Sequence, residues 1–441
     1  MNLVNRENFF FLLFLFLPIT IIIGSTASLI NIIILTVFFL IFLIYEKNFE
    51  FLSNIAIKLL LILYLYLIFN SFISLNYEIG LARNLGFIRM ILLFIFVNYF
   101  FFYYNNEKKL FNFWTLIILV FIIDVYFEYF SGTNLFGLGS QPDEINYNRA
   151  DIREYGSIFT IFDKEYSLKI TYGNRITSFF VDEPIAGAYL SGFIFLIFGH
   201  FIKRFNKNII GIIFLLFAFT AVFLTGERSN TIKILIGIII LFLFLDFIKI
   251  KTKIIILFLF TSIFGIVLSQ SDYLKVRYVG QLFKHFSSKE NFDEFREKNI
   301  YFSLYRSGYS VFKNYPIFGV GNKNYRVETC KSKKEDQLKF NYICLTHPHQ
   351  LYFEFLSEHG LVGSLIILSI LFYLMFQILK SILLSRNYIQ IGAFIFILIN
   401  FIPVLPSGSF FSDFNITLFW INFSIMFACD RKTNIFTKNS V

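Results

Sequence analysis

The sequence predicts an all-α membrane protein, a polytopic bundle of about twelve transmembrane helices with a large loop domain outside it. Three observations carry that prediction. First, the 441 residues are 57% hydrophobic, with 65 Phe, and only 15% charged, whereas a soluble domain has about 45–50% apolar and about 25% charged residues. Second, the apolar residues fall in runs of about 20, the length needed to cross a bilayer. Third, the cations between the runs alternate in abundance from one connection to the next, as the positive-inside rule requires.

The runs lie near 9–24, 28–45, 55–75, 86–104, 110–130, 184–202, 208–224, 230–248, 253–270, 360–379, 388–404 and 411–429. The first is read as a retained span, because Arg6 is balanced by Glu7 and no small-x-small cleavage site follows. With the N-terminus cytoplasmic, Lys47, Lys108, Lys109, Lys203, Arg204 and Lys207 fall inside, as do Lys249, Lys251, Lys253, Lys380 and Arg386. Arg431, Lys432 and Lys438 keep the C-terminus on the same side. The opposite short connections hold only Arg83 and Arg228, and 403–410 (PVLPSGSF) holds no charge. The formal net charge of +10 therefore reflects orientation and not nucleic acid, since no soluble basic domain carries it.

Two long loops, 131–183 and 271–348, are then outside. The chain divides into spans one to five with the first loop (1–183), spans six to nine (184–270), a loop domain ending in a motif helix (271–359), and the last spans with a tail (360–441). Within the second loop, 292–313 has a helical pattern and NYPIFGVGN a turn pattern. Cys330 and Cys344 lie in the same loop, where an oxidising location permits a disulfide. Closing a loop of about 15 residues is worth about 3 kcal/mol in the chain-entropy model, and the bridge would pin the segment entering His347. Two free thiols are the bland alternative. Cys429 reads as a packing residue of the last span.

Residues 346–364, THPHQLYFEFLSEHGLVGS, gather titratable side chains in an otherwise greasy chain. Pro348 suits the first turn of a helix and Gly360 its end. Leu351, Tyr352, Phe355 and Leu356 cluster on one face, with His349, Glu354, Ser357 and Glu358 over the remainder. This predicts a short helix at the outer membrane surface before the chain enters the bilayer at Leu361. His349, in the first turn, is a candidate general base; the bland alternative is a helix whose polar residues merely face water. A zinc site has little support, since there is no HExxH and the cysteines are not closely paired. Neither metal nor cofactor is expected.

Three arginines add to the pattern. Arg228 lies in TGERSN, Arg306 in SLYRSGYSVFKNYPIFGVGNKNYR, and Arg175 in NRITSFFVDEPIAGAYL ahead of Asp182 and Glu183. Each alone could be an anchor or a solvated loop residue. Together with a histidine on one side they point to a phosphorylated ligand, because the planar guanidinium makes two charge-assisted hydrogen bonds to phosphate. Arg89 and Asp124 stand isolated in spans, either functional or simply paired. There is no P-loop, no GxGxxG opening a helix and no DxD-like pair. An enzyme outside the membrane must use a donor already activated and carried across, such as a lipid diphosphate-linked sugar.

At this point the residues resemble the O-antigen ligase and O-antigen polymerase superfamily. THPHQLYFEFLSEHGLVG is similar to its signature, a His usually followed by Asn, then a short helix ending in Glu-x-Gly-x-x-Gly. TGERSN, RSGYSVFKNYPIFGVGNKNY and RITSFFVDEPIAGAYL stand in the family's order, and the similarity covers roughly 170–380. Gln350 departs from the usual Asn. The resemblance implies a C-type glycosyltransferase-like, metal-independent enzyme of the bacterial inner membrane, with its active site facing the periplasm. Its donor would be an undecaprenyl-diphosphate-linked glycan. His349 would deprotonate the acceptor hydroxyl, while Arg228 and Arg306, with Arg175, would hold the diphosphate. His347 is the reserve base, Gln350 a positioning group, and Glu358 an orienting or capping residue. The acceptor would be lipid A-core for a ligase, or a second lipid-linked repeat unit for a polymerase, with protein O-glycosylation a smaller variant. The remaining partners would be membrane lipids, with no nucleic acid. A transporter or flippase is the alternative of another class, and would place ionisable residues at mid-membrane.

Overall fold

A computed structural model describes residues 3–137, 155–161, 164–170, 175–181, 183–205, 208–280, 288–331 and 334–437. Lys207, Lys438 and Asp182 lie outside the described residues. The chain begins with α1 (Leu3–Leu15), α2 (Leu17–Ile23), α3 (Ser25–Glu46), α4 (Ile55–Phe72), α5 (Tyr77–Gly86), α6 (Ile88–Tyr103) and α7 (Glu107–Ser131). An antiparallel hairpin follows, β1 (Tyr155–Ile161) and β2 (Lys164–Ile170), with Tyr155 opposite Ile170. Next come α8 (Ala186–Phe205), α9 (Asn208–Leu224), α10 (Arg228–Phe244), α11 (Ile250–Gln270) and the single turn α12 (Asp272–Leu274). A π-helical turn, Lys275–Gly280, leads on to α13 (Lys289–Lys298), α14 (Ile300–Asn314), α15 (Tyr325–Lys331) and α16 (Lys334–Phe340). The chain closes with α17 (Leu351–Ser385), α18 (Tyr388–Asn400) and α19 (Asp413–Ala428).

The helical fold class is observed, with the hairpin an addition that the sequence pattern did not announce. Among the described residues, seven helical stretches are long and apolar enough to cross a membrane, and Ile209–Leu224, Tyr388–Asn400 and Asp413–Ala428 are shorter apolar helices. The expected first span is not one helix. It breaks between α1 and α2, where Pro18 opens the second piece. The expected span at 230–248 is α10, 17 residues long.

The chain forms two compact units, residues 1–110 with 296–441, and residues 111–295. In the first, the helices start where a short polar side chain caps them: Asn54 accepts from Ala56 N, Asn299 from Tyr301 N, Asn387 from Ile389 N and Ser412 from Asn415 N. The helices pack through rings, with Phe94 edge-on to Trp420 and Phe427 at 6.5 and 5.1 Å. Arg89 is a paired residue. Its Nη2 lies 2.7 Å from Asp413 Oδ1, which also takes Arg83 Nη1 at 2.5 Å.

Helix α17 is interrupted at Gly360, whose φ of 64° and ψ of −168° belong to a region open essentially to glycine alone. The helix resumes at once, so Gly360 marks a break and not an end. The segment Pro316–Gly321 fills the gap as a strand would. Leu361 N and Val362 N donate to Pro316 O and Ile317 O at 2.8 and 3.1 Å, and Val320 N and Gly321 N donate to Ser357 O and Glu358 O at 2.9 Å each. Gly319 and Gly360 permit the approach, since a Cβ on either would come within 2.4 Å of the facing backbone. Asn70 of α4 fastens the other side of the segment, accepting from Asn322 N at 2.8 Å.

In the second unit, two carboxylates of α7 tie down the segment after the hairpin. Asp124 accepts from Ser178 Oγ and Leu135 N, and Glu128 accepts from Thr177 N and Ser178 N. Asp124 is therefore paired too, and it fixes the backbone that follows Arg175.

Gly360→Ala should destabilise the protein by at least about 2–3 kcal/mol, combining a forbidden backbone region with a clash that cannot relax. A thermal shift in detergent reads this; an unchanged midpoint would refute the close fit of the two segments.

Candidate functional site

In the unit formed by 1–110 and 296–441, the loop before α17 brings His347 and His349 into stacking contact, ring centroids 3.9 Å apart. His349 sits at φ 54°, a left-handed conformation uncommon for a residue with a side chain. Two contacts hold it there. Its carbonyl accepts from Ser407 N at 2.9 Å, and the next residue, Gln350, caps α17 by accepting from Phe353 N at 2.9 Å. From α14, Tyr301 lies edge-on to the His349 ring at 6.2 Å, and a Cβ at Gly308 would come within 2.9 Å of Pro348. His347 Nδ1 lies 2.9 Å from Thr346 Oγ1, while its Nε2 is buried without a hydrogen-bond partner.

Behind the pair lies a polar chain that closes over many residues. Glu354, fully buried, accepts from Ser409 Oγ at 2.6 Å and from Phe410 N at 2.9 and 3.1 Å. Lys323 donates through Nζ to the same Ser409 Oγ. Burial, and the Lys323 ammonium beside it, pull the His347 imidazole down to about 4. Burial and His347 do the same to His349, against an upward pull from Glu354. Both rings are thus neutral near pH 7, with a lone pair ready to accept a proton.

The second unit, residues 111–295, gathers arginines. Gly226, at φ 73°, makes the turn that carries Glu227 and Arg228, and its carbonyl accepts from Arg277 Nε at 3.1 Å. Tyr273 Oη rests against Gly226, where a Cβ would lie 2.6 Å away, and it has no hydrogen-bond partner. Burial raises the Tyr273 phenol, opposed by Arg277, Arg175 and Arg228, so three guanidinium groups act on one hydroxyl. Glu227 supplies the anchoring acid. It accepts from Gly187 N at 2.6 Å and Asn230 Nδ2 at 2.5 Å, and burial pushes it up to about 7 against these bonds and Arg175.

The structure therefore brings His347 and His349 together in one unit, and Arg228 and Arg175 in the other. Arg306 joins neither cluster. Tyr301, Tyr305 and Gly308 face the 348–353 segment, and at about 100° per residue Arg306 falls on another side of α14. It is exposed and donates to Arg296 O and Glu297 O at 3.4 and 3.1 Å, tying the end of α13. Gln350 is used as a cap. Glu358 is fully buried, accepts from Tyr325 N at 3.3 Å, and leaves Oε2 unpartnered; it holds the 316–325 segment. The first turns of α17 do not form the expected surface helix. Glu354, Ser357, Glu358 and His359 are all fully buried, because α14 and the 316–325 segment cover them. Cys330 and Cys344 are joined, with Cα atoms 4.5 Å apart. Among the described residues no group of three His, Cys, Asp or Glu gathers to hold a metal ion.

Arg277, Tyr273, Lys323, Glu354 and Ser409 were not singled out as site residues from the sequence. Glu354 had a local signal, its place within the motif. Lys323 and Ser409 had none, since they meet across 86 positions.

The pH dependence follows from burial of the neutral rings. A histidine with a folded value near 4 and an unfolded value near 6.5 lends stability at high pH, which is lost as pH falls between those values. Histidine-resolved NMR should find both rings unprotonated at pH 6; midpoints near 6.5 would show the pair to be solvated.

Residues 212–368 match the O-antigen ligase family. The stretch takes in His347, His349, Lys323, Glu354, Glu227, Arg228, Tyr273 and Arg277, while Arg175, Gly187, Ser407, Ser409 and Phe410 lie outside it. No curated protein matches the chain.

Proposed function

We propose that this membrane chain, whose residues 212–368 match the O-antigen ligase family, transfers an undecaprenyl-diphosphate-linked glycan to lipid A-core. The observation that carries this reading is the turn at Gly226, which precedes Arg228, accepts from Arg277 Nε at 3.1 Å and lies against the buried, unpartnered hydroxyl of Tyr273. Guanidinium groups favour an anion, and a diphosphate supplies both the charge and the acceptor oxygens.

In this mechanism His349 removes the proton from the acceptor hydroxyl as its oxygen attacks the anomeric carbon. The bond from that carbon to the diphosphate oxygen breaks, the configuration inverts, and undecaprenyl diphosphate leaves with the electron pair. Within their own unit Arg228, Arg277 and Arg175 are the cations suited to hold a diphosphate, and preorganised cations often supply the largest catalytic contribution. Tyr273 donates to the same oxygens. Burial keeps His349 neutral, which leaves a ring nitrogen open to the acceptor hydroxyl but makes the imidazole a weaker base than a solvated one. His347 orients the ring it stacks on, and Gln350 fixes the start of α17. Arg306 has the lesser part of holding α13 to α14. The N-terminus is placed in the cytoplasm and the chemistry in the periplasm of a bacterial inner membrane, on the distribution of Lys and Arg.

His349→Ala should abolish transfer while the protein still inserts, and smooth lipopolysaccharide in that strain would defeat the base assignment. Arg277→Ala and Tyr273→Phe should raise the donor KM, by about tenfold for the arginine; unchanged values in both would remove the diphosphate site. Deleting the gene should leave bare core beside long lipid-linked chains. Single repeat units in that gel would make the enzyme a polymerase.

A further inference from the structure

We propose that Lys323 is a positioning residue for the His347–His349 pair, acting through the bridge that its ammonium makes to Ser409 and Glu354. The proposal rests on the reading of His349 as the base. Lys323 comes from the segment fastened into the break of α17, so its backbone is fixed before its side chain makes any contact, and it sits at φ 63°. Its ammonium donates to Ser409 Oγ, and that hydroxyl spends its single proton on Glu354 Oε1. The direction of the chain is therefore set by charge, a cation at one end and a carboxylate at the other.

The loop fixed by this bridge is the one that strains His349. Glu354 also takes Phe410 N, and two residues before Ser409 the Ser407 N–H holds the His349 carbonyl at 2.9 Å. If Lys323 is removed, Ser409 loses its donor and the loop loses one of its ties. His349 is then free to relax toward an ordinary backbone conformation, carrying its ring away from the acceptor.

Charge gives Lys323 a second effect. The groups facing the pair are Thr346 on its own loop, Glu354 on α17, Tyr301 on α14, the Ser407 backbone, and Lys323 itself. Glu358 faces Lys323 from α17. Among these the ammonium is the cation that opposes protonation of His347, His347 in turn opposes protonation of His349, and Glu354 is the carboxylate that favours a proton on His349.

The test uses full-length protein in nanodiscs, with lipid-linked glycan extracted from a deletion strain as donor and that strain's core as acceptor. Lys323→Gln should lower kcat by about 10–100-fold with the donor KM within about twofold, since the loss falls on the chemical step. The acid limb of its kcat profile should move to higher pH, and Lys323→Arg should recover most of the rate. Ser409→Ala removes the bridge but no charge, so it should slow kcat and leave the acid limb in place. A Lys323→Gln enzyme as fast as the parent would overturn the proposal. So would an unmoved acid limb together with Lys323→Arg as slow as Lys323→Gln, the result expected of simple packing. If His349→Ala retained transfer, the base reading itself would fall; inert His349→Ala beside normal Lys323→Gln would remove only the role of Lys323.

Discussion

At Gly360 the backbone of α17 turns out of helical geometry, and the N–H groups just beyond it lose their partners four residues back. Leaving such groups unpaired inside a protein costs about 1–3 kcal/mol each, so something must supply carbonyls. The segment 316–321 does so, and returns two of its own N–H groups to the carbonyls left open on the other side of the break. Everything near the histidines follows from this exchange. It places Lys323 where its ammonium reaches Ser409, buries Glu358 under the segment, and lays α14 against Pro348.

A second constraint concerns charge in an apolar chain. Four of the buried carboxylates are surrounded by donors: Asp124 and Glu128 by the turn at 177–178, Glu227 by Gly187 and Asn230, Glu354 by Ser409 and Phe410. These acids organise backbone. Glu227 and Arg228 are adjacent in the chain yet divided in role. The acid holds the turn to α8, while the arginine stands in the cluster beside Tyr273.

Much of this was legible in the sequence. Apolar runs gave the helices, because period and length are local properties. The two histidines and the glycine at 360 stood out for the same reason. The arginines at 228 and 175 could be grouped because each neighbours a run, but Arg277 sits in KVRYVG, a stretch with nothing to separate it from any loop cation. Arg306 shows the converse. Its helix is amphipathic, and only the identity of the residues touching α17 tells which face is turned toward the histidines. The surface helix expected at 349–359 failed because its cover comes from residues some 40 positions earlier, a pairing that no local pattern encodes.

The left-handed turn at His349 has a consequence for chemical intervention. A side-chain-bearing residue in that region lies about 1–2 kcal/mol above its relaxed state, so the conformation is a loaded one, kept by the Ser407 amide on one side and the Gln350 cap on the other. A compound wedged under that loop would act on the backbone and not on the rings. Freeing Ser407 would remove one of the two contacts and let the imidazole swing toward an ordinary conformation.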